Sequence, residues 1–275
     1  MLEKARGVDA DEVVIDLEDA VVPERKSEAL LEVLDALAHE GGFAAGTLAV
    51  RVNAPGTPWA HEDLATLGGA QQRPDSVVVP KVEGAGDLAF VDRLLEGVER
   101  AVGHAQPLRV QALVETARGV RALDEIAGCS ARLDAIVLGY ADLGASLGRS
   151  RAGAADLDLW LAVQDALLVA ARAAGLQAID GPFLAIDDEA GLQAAAARAA
   201  DLGFDGKWAI HPAQLDTLTA AFTPTEEDVA HAEGVLAALR EAEAGTAAGA
   251  VALDGEMLDE AVRLAALRTL ARAGR

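Results

Sequence analysis

Two stretches, LRVQALVET (108–116) and DAIVLGYAD (134–142), decide how this chain folds. Each has an interior that is mostly apolar rather than strictly alternating, the pattern of a parallel strand covered on both faces. Each then reaches a carboxylate, Glu115 or Asp142, beside the start of a helical segment. Working outward, five more runs share the apolar interior: EVVIDL (12–17), TLAVRVN (47–53), SVVVPKV (76–82), LQAID (176–180) and KWAI (207–210). Between them, Ser27–Leu37, Leu88–Val102, Leu159–Ala174 and Glu189–Ala200 carry helical periodicity and are long enough for crossover helices. Repeated βα units of this length predict an α/β fold, a (β/α)₈ TIM barrel, with a doubly wound sheet as second choice. A closed barrel needs eight strands, and this chain opens on a helix-like stretch, Leu2–Arg6. The expectation is therefore a barrel whose first strand is missing from the chain.

The C-terminal part has a different texture. Pro224–Ala244 reads as one long helix with acidic residues in its first turn, followed by the small-residue run AGTAAGA (244–250) and a last helix. The predicted division is a barrel domain over 1–243 and a linker with helical extension over 244–275. The extension either packs on its own barrel or reaches a neighbouring subunit.

Composition removes several functions. The 23 Lys+Arg against 45 Asp+Glu give a formal charge of −22, so the basic footprint that nucleic acid or an anionic membrane requires is absent. No apolar run approaches a membrane span of about 18 residues, and the N-terminal MLEKARGVDADE has no signal-peptide core. With the single cysteine, Cys129, these features predict a cytoplasmic protein without a disulfide framework or a Cys-rich zinc site. The few Lys and many Arg and Ala read as a coding bias or as adaptation to high salt.

Parallel α/β sheets bind ligands at the C-terminal ends of their strands. Acids dominate the strand-end residues here: Asp16, Glu18 and Asp19, then Arg51, Lys81 with Glu83, Glu115, Asp142 and Asp180. Carboxylates that face one another repel unless a cation or a proton separates them. Hard oxygen ligands with no His or Cys cluster point to Mg²⁺ or Mn²⁺, and Mg²⁺ takes one or two protein carboxylates. Glu115 and Asp142 are the preferred pair; the plainer alternative is that both only cap helices. Arg51 suits bidentate binding of a carboxylate substrate or, equally, a salt bridge to Glu18 or Asp19. His211 before Pro212 reads as a turn-fixing residue. No zinc-protease helix, dinucleotide fingerprint, phosphate-binding loop or nucleophile elbow occurs.

Taken in order, VVIDLEDAV (13–21), VRVNAPGTPW (50–59), VVVPKVE (77–83), LVETARGV (113–120), LGYADLGASLG (138–148), DGP (180–182), GFDGKWAIHPAQL (203–215) and LDGEMLD (253–259) resemble the citrate lyase beta-subunit-like, or CoA-ester lyase, family of the HpcH/HpaI aldolase superfamily. The resemblance covers nearly the whole chain. It implies a trimeric or hexameric enzyme that uses Mg²⁺ to cleave or form a malyl-, citramalyl- or citryl-type 3-hydroxyacyl-CoA thioester, exchanging it with an acyl-CoA and a 2-keto acid. It also implies that Glu115 and Asp142 hold the metal, with Glu115 also at the substrate. Arg51 contacts the keto-acid end, and Asp254 acts as proton donor from the extension, across a subunit boundary. Glu18 and Asp19 would support metal-bound waters. Two departures stand out: the family's opening strand and Pro-Gly loop are absent, and Glu256 stands where many relatives carry Lys. Alternative functions are a class II aldolase acting on free 2-keto acid substrates, and a non-catalytic or complex-bound citrate lyase beta subunit.

Overall fold

The computed structural model describes residues 2–149, 157–244, 251–253 and 256–274. Seven strands form one sheet: β1 (Glu12–Asp16), β2 (Thr47–Arg51), β3 (Ser76–Val79), β4 (Arg109–Val114), β5 (Leu133–Leu138), β6 (Gln177–Asp180) and β7 (Gly206–Lys207). They lie side by side in chain order, and every pair is parallel. Sequential order is what a barrel requires, whereas a doubly wound sheet reverses direction at a switch point, so the second-choice topology is excluded. Six expected strands are present, and the seventh, expected over 207–210, is only the two residues Gly206–Lys207. The described sheet has seven strands rather than eight.

The sequence explains the layering. The central strands β3, β4 and β5 are buried along almost their whole length, as their unbroken apolar runs require. One side chain per strand, Val14, Ala49, Val78, Leu113, Val137 and Ile179, joins Trp208 in a single apolar cluster on one sheet face. The helices Lys26–Ala38, Ala60–Gly69, Ala85–Val102, Leu161–Ala173 and Glu189–Leu202 supply the crossovers. In the helix Ala85–Val102, Leu88, Val91 and Leu95 are fully buried, the three-to-four spacing of an apolar stripe. That helix ends at Gly103, whose φ of 83° is the left-handed conformation that glycine adopts without a Cβ clash. Short crossovers leave the C-terminal ends of β1 to β5 side by side, which is what gathers their polar residues.

The chain divides into two compact units, Met1–Leu218 and Thr219–Arg275. In the second, the helices Glu226–Ala244 and Glu260–Arg272 share an apolar core of Ala232, Val235, Leu236 and Ala266, completed by Leu258 from the segment between them. An antiparallel pair, β8 (Val251–Leu253) and β9 (Glu256–Leu258), lies between them in sequence. Asp259 caps the last helix by accepting a hydrogen bond from the Val262 N–H at 3.0 Å. The run 245–250 and Asp254 lie outside the described residues. No described helix is long and apolar enough to cross a membrane.

Candidate active site

The register of β1 on β2 sets Asp16 opposite Arg51, each the last residue of its strand. Their side chains meet as a fork: Arg51 donates from Nε to Asp16 Oδ1 at 2.7 Å and from Nη2 to Oδ2 at 2.5 Å. Asp16 also accepts backbone N–H bonds from Glu18 and Ala20, at 2.8 and 3.1 Å. Burial works against both charged forms, but their mutual hydrogen bonds and charges outweigh it. Asp16 is held below the usual carboxylate range and Arg51 above the usual guanidinium range. A second carboxylate, Glu18, lies with Oε2 3.1 Å from Arg51 Nη1, in ion-pair range but without a directed hydrogen bond. Of the two partners expected for Arg51, Glu18 is therefore present and Asp19 is not. Asp16 takes the main role.

Lys81 follows β3 in a left-handed backbone conformation, φ 52°, which a residue with a Cβ rarely adopts. Its N–H donates to Glu115 Oε1 at 3.0 Å, while its Nζ lies 2.5 Å from Glu18 Oε1 and 3.0 Å from Asp142 Oδ2. Asp19 is at the rim: its carboxylate is 4.0 Å from the same ammonium and its side chain is 67% exposed.

Glu115 directly follows β4 and is only 5% exposed. Burial pushes its carboxyl up to about 7, and the charges of Glu18 and Asp142 push the same way against the attraction of Lys81. The next residue, Thr116, caps the following helical turn by accepting from the Gly119 N–H at 3.0 Å. The helix-cap alternative thus belongs to Thr116 rather than to Glu115. Gly139, at the end of β5, makes room for the Glu115 side chain: a Cβ there would lie 2.6 Å from both Glu115 Cβ and Oε2. Asp142 lies in the first turn of the helix Tyr140–Ser146 and is partly exposed.

Behind Asp142 lies a buried polar strut. Tyr140 donates to Asp180, Gln164 donates to the Tyr140 hydroxyl at 2.8 Å, and Lys207 Nζ sits 2.5 Å from Asp180 Oδ2 and 2.6 Å from the Gly181 carbonyl. Both ends of the Lys207–Asp180 pair are 1% exposed. This strut ties the ends of β5, β6 and β7 together and fixes the start of the helix that carries Asp142. His211 fixes a turn as expected, its Nδ1 accepting from the Ala213 N–H at 3.2 Å.

Arg51, Glu115, Asp142 and Glu18, singled out in the sequence, thus converge. Asp254 lies outside the described residues. Two central residues, Asp16 and Lys81, had no assigned role. The signal for both was their position at a strand end, but which of several acids pairs with Arg51 depends on register. Four carboxylates (Asp16, Glu18, Glu115 and Asp142) face two cations, Arg51 and Lys81, leaving two negative charges in excess. That excess, and a Glu115 carboxyl raised first by burial and then by its carboxylate neighbours, fit a divalent cation. No three His, Cys, Asp or Glu side chains converge as a ligand set among the described residues. A two-carboxylate Mg²⁺ site, completed by water and substrate oxygens, is the form this donor set allows.

The family model for HpcH/HpaI aldolase/citrate lyase matches residues 1–212. The chain belongs to this family. It is 36% identical over 275 aligned residues to an L-malyl-CoA/beta-methylmalyl-CoA lyase of Cereibacter sphaeroides, covering 94% of this chain and 86% of the relative. A (3S)-malyl-CoA thioesterase of the same species is also 36% identical, covering 99% of this chain and 90% of the relative. Among solved structures, CitE from Mycobacterium tuberculosis in complex with magnesium, acetoacetate and coenzyme A is 35% identical. Its TM-score is 0.76, and the match covers 97% of this chain and 91% of that one. A citrate lyase from Burkholderia xenovorans has TM-score 0.84 at 25% identity, covering 96% of this chain and 83% of that one.

Proposed function

We propose that this member of the HpcH/HpaI aldolase/citrate lyase family is a Mg²⁺-dependent carbon–carbon lyase. Its substrate is a malyl-type 3-hydroxyacyl-CoA thioester, split to an acyl-CoA and a 2-keto acid or formed from them. The observation that carries the reading is the mouth of the sheet. Glu115 and Asp142 belong there to a cluster of four carboxylates held against only two cations, Arg51 and Lys81, in a chain whose relatives include a malyl-CoA lyase over 94% of its length.

Cleavage breaks the bond between the hydroxyl-bearing carbon and the carbon next to the thioester carbonyl. The hydroxyl proton leaves, a keto group forms, and the electron pair passes to the thioester as an enolate that is then protonated on carbon. Mg²⁺ held by Glu115 and Asp142 would act as a Lewis acid at the keto and carboxylate oxygens of the hydroxy-acid end. Arg51 is a guanidinium, charged at any working pH, and the Asp16 fork fixes its orientation, so it offers a fixed cation to negative oxygen. Glu18 steadies both Arg51 and Lys81. Asp254 is assigned the proton exchange at the enolate carbon, acting from the 244–275 extension as it caps a neighbouring subunit. A cytoplasmic homotrimer or homohexamer completes this reading, and sedimentation measures the assembly.

A second reading, thioester hydrolysis, is favoured by the equal identity to the malyl-CoA thioesterase. Mass analysis of products from malyl-, citramalyl- and citryl-CoA separates the two. The lyase releases a 2-keto acid with the thioester intact, and the thioesterase releases free CoA thiol with the hydroxy acid intact. Turnover of the free hydroxy acid alone would instead select the aldolase alternative. If Asp254 serves a neighbour's site, Asp254→Asn and Arg51→Ala variants, each inactive alone, regain activity in verified mixed oligomers.

A further inference from the structure

One residue touches three of the carboxylates at the mouth. Lys81 reaches Glu115 with its backbone N–H, and Glu18 and Asp142 with its ammonium. It does so from a left-handed backbone that costs a non-glycine residue about 1 kcal/mol. The two cations of the site differ in kind. Arg51 is clamped by a two-bond fork on Asp16, and its side chain is 18% exposed. Lys81 is a compact point charge on a flexible stem, its side chain 36% exposed, and its contact to Asp142 is longer than its contact to Glu18. It can give up Asp142 and remain tethered to Glu18.

We propose that the Lys81 ammonium is the resident counter-ion of the metal-free mouth, paired with Glu18 and Asp142, and that a divalent cation gains Asp142 only in exchange for it. The inference rests on the reading that Glu115 and Asp142 hold the metal, and it goes beyond it by naming what the metal competes with. Without Lys81 the excess of negative charge rises from two to three, which leaves the metal-free mouth less stable and more attractive to a divalent ion. With Lys81, metal binding is weakened by the strength of one ammonium–carboxylate contact. An ion that repays only one charge gains little from the exchange.

The test is calorimetric titration of MgCl₂ into the EDTA-stripped full chain, for the parent, Lys81→Met and Lys81→Arg. Loss of one partly exposed ion-pair competitor is expected to tighten Mg²⁺ binding about five- to tenfold in Lys81→Met. Lys81→Arg, which keeps the charge, should stay near or below the parent affinity. Metal-free Lys81→Met should also unfold at lower urea, with Mg²⁺ restoring the loss. Unchanged or weaker Mg²⁺ binding by Lys81→Met overturns the exchange and makes Lys81 a positioning residue for its two neighbours. Failure of the parent to bind Mg²⁺ overturns the metal reading itself, and this inference with it.

An independent measurement covers the case of a variant that does not fold. Amine acetylation of the parent, read by mass spectrometry, should increase at Lys81 when Mg²⁺ is added, relative to exposed Lys4 and buried Lys207. Equal labelling with and without saturating Mg²⁺ refutes the release of Lys81.

Discussion

Replacing Glu115 by Gln should make the metal-free protein more stable, a counterintuitive outcome for a residue at the centre of an active site. Glu115 is 5% exposed, and burial with the charges of Glu18 and Asp142 raises its carboxyl from 4.5 to about 7. A group whose folded-state value is raised favours folding when protonated. Its contribution is therefore fully present below pH 4.5 and is lost as pH climbs through about 7. At about 1.4 kcal/mol per pH unit, a rise of this size corresponds to about 3 kcal/mol of destabilisation above pH 8. Glutamine keeps the oxygen that accepts the Lys81 N–H and removes the charge. Urea unfolding in EDTA, followed by tryptophan fluorescence, should show the variant about 2–3 kcal/mol more stable than the parent at pH 8.5. At pH 4.5 the difference should shrink to within about 0.5 kcal/mol, because the parent carboxyl is then mostly protonated. Saturating Mg²⁺ should reverse the order at pH 8.5, since only the parent gains binding energy linked to folding. A variant equal to or less stable than the parent at pH 8.5 in EDTA would refute the account of Glu115 as a frustrated buried charge.

Other substitutions probe the neighbouring contacts. Arg51→Ala leaves Asp16 partly buried without its fork and should cost about 2–4 kcal/mol in urea unfolding. Asp16→Ala in the same background should recover part of that loss, because the stranded charge is gone. Arg51→Lys should restore much of the stability but little turnover, since an ammonium cannot hold both Asp16 oxygens and also present a rigid donor. Gly139→Ala has no backbone penalty, since its φ of −105° suits any residue, yet its Cβ would meet Glu115 at 2.6 Å. It should destabilise by about 1–3 kcal/mol and weaken Mg²⁺ binding measured by calorimetry, whereas Gly97→Ala, whose Cβ meets open space, should do neither.

The central strands were legible because a strand buried on both faces must be apolar along its length, and runs such as SVVVPKV say so locally. Their parallel, sequential order followed from helices of crossover length between them. The pairing of β8 with β9 was not foreseen. Three-residue strands carry too little periodicity to stand out in the sequence. Arg51, Glu115, Asp142 and Glu18 could be singled out because polar residues at strand ends have few other reasons to interrupt apolar runs.

Pairing among those residues was beyond local reading. Asp16, Glu18 and Asp19 stand within four positions of each other, and any could have met Arg51 by charge alone. The register of β1 on β2 selected Asp16, turned Glu18 inward to both cations and left Asp19 at the rim. Lys81 likewise reads as one more basic residue until the sheet curls and its left-handed backbone sets it among three carboxylates from the segments that follow β1, β4 and β5. Composition and periodicity act along the chain, so they write the elements and their polar ends into the sequence. Charge balance at the mouth acts through space, between residues far apart in the chain such as Glu18 and Asp142, and only folding brings its terms together.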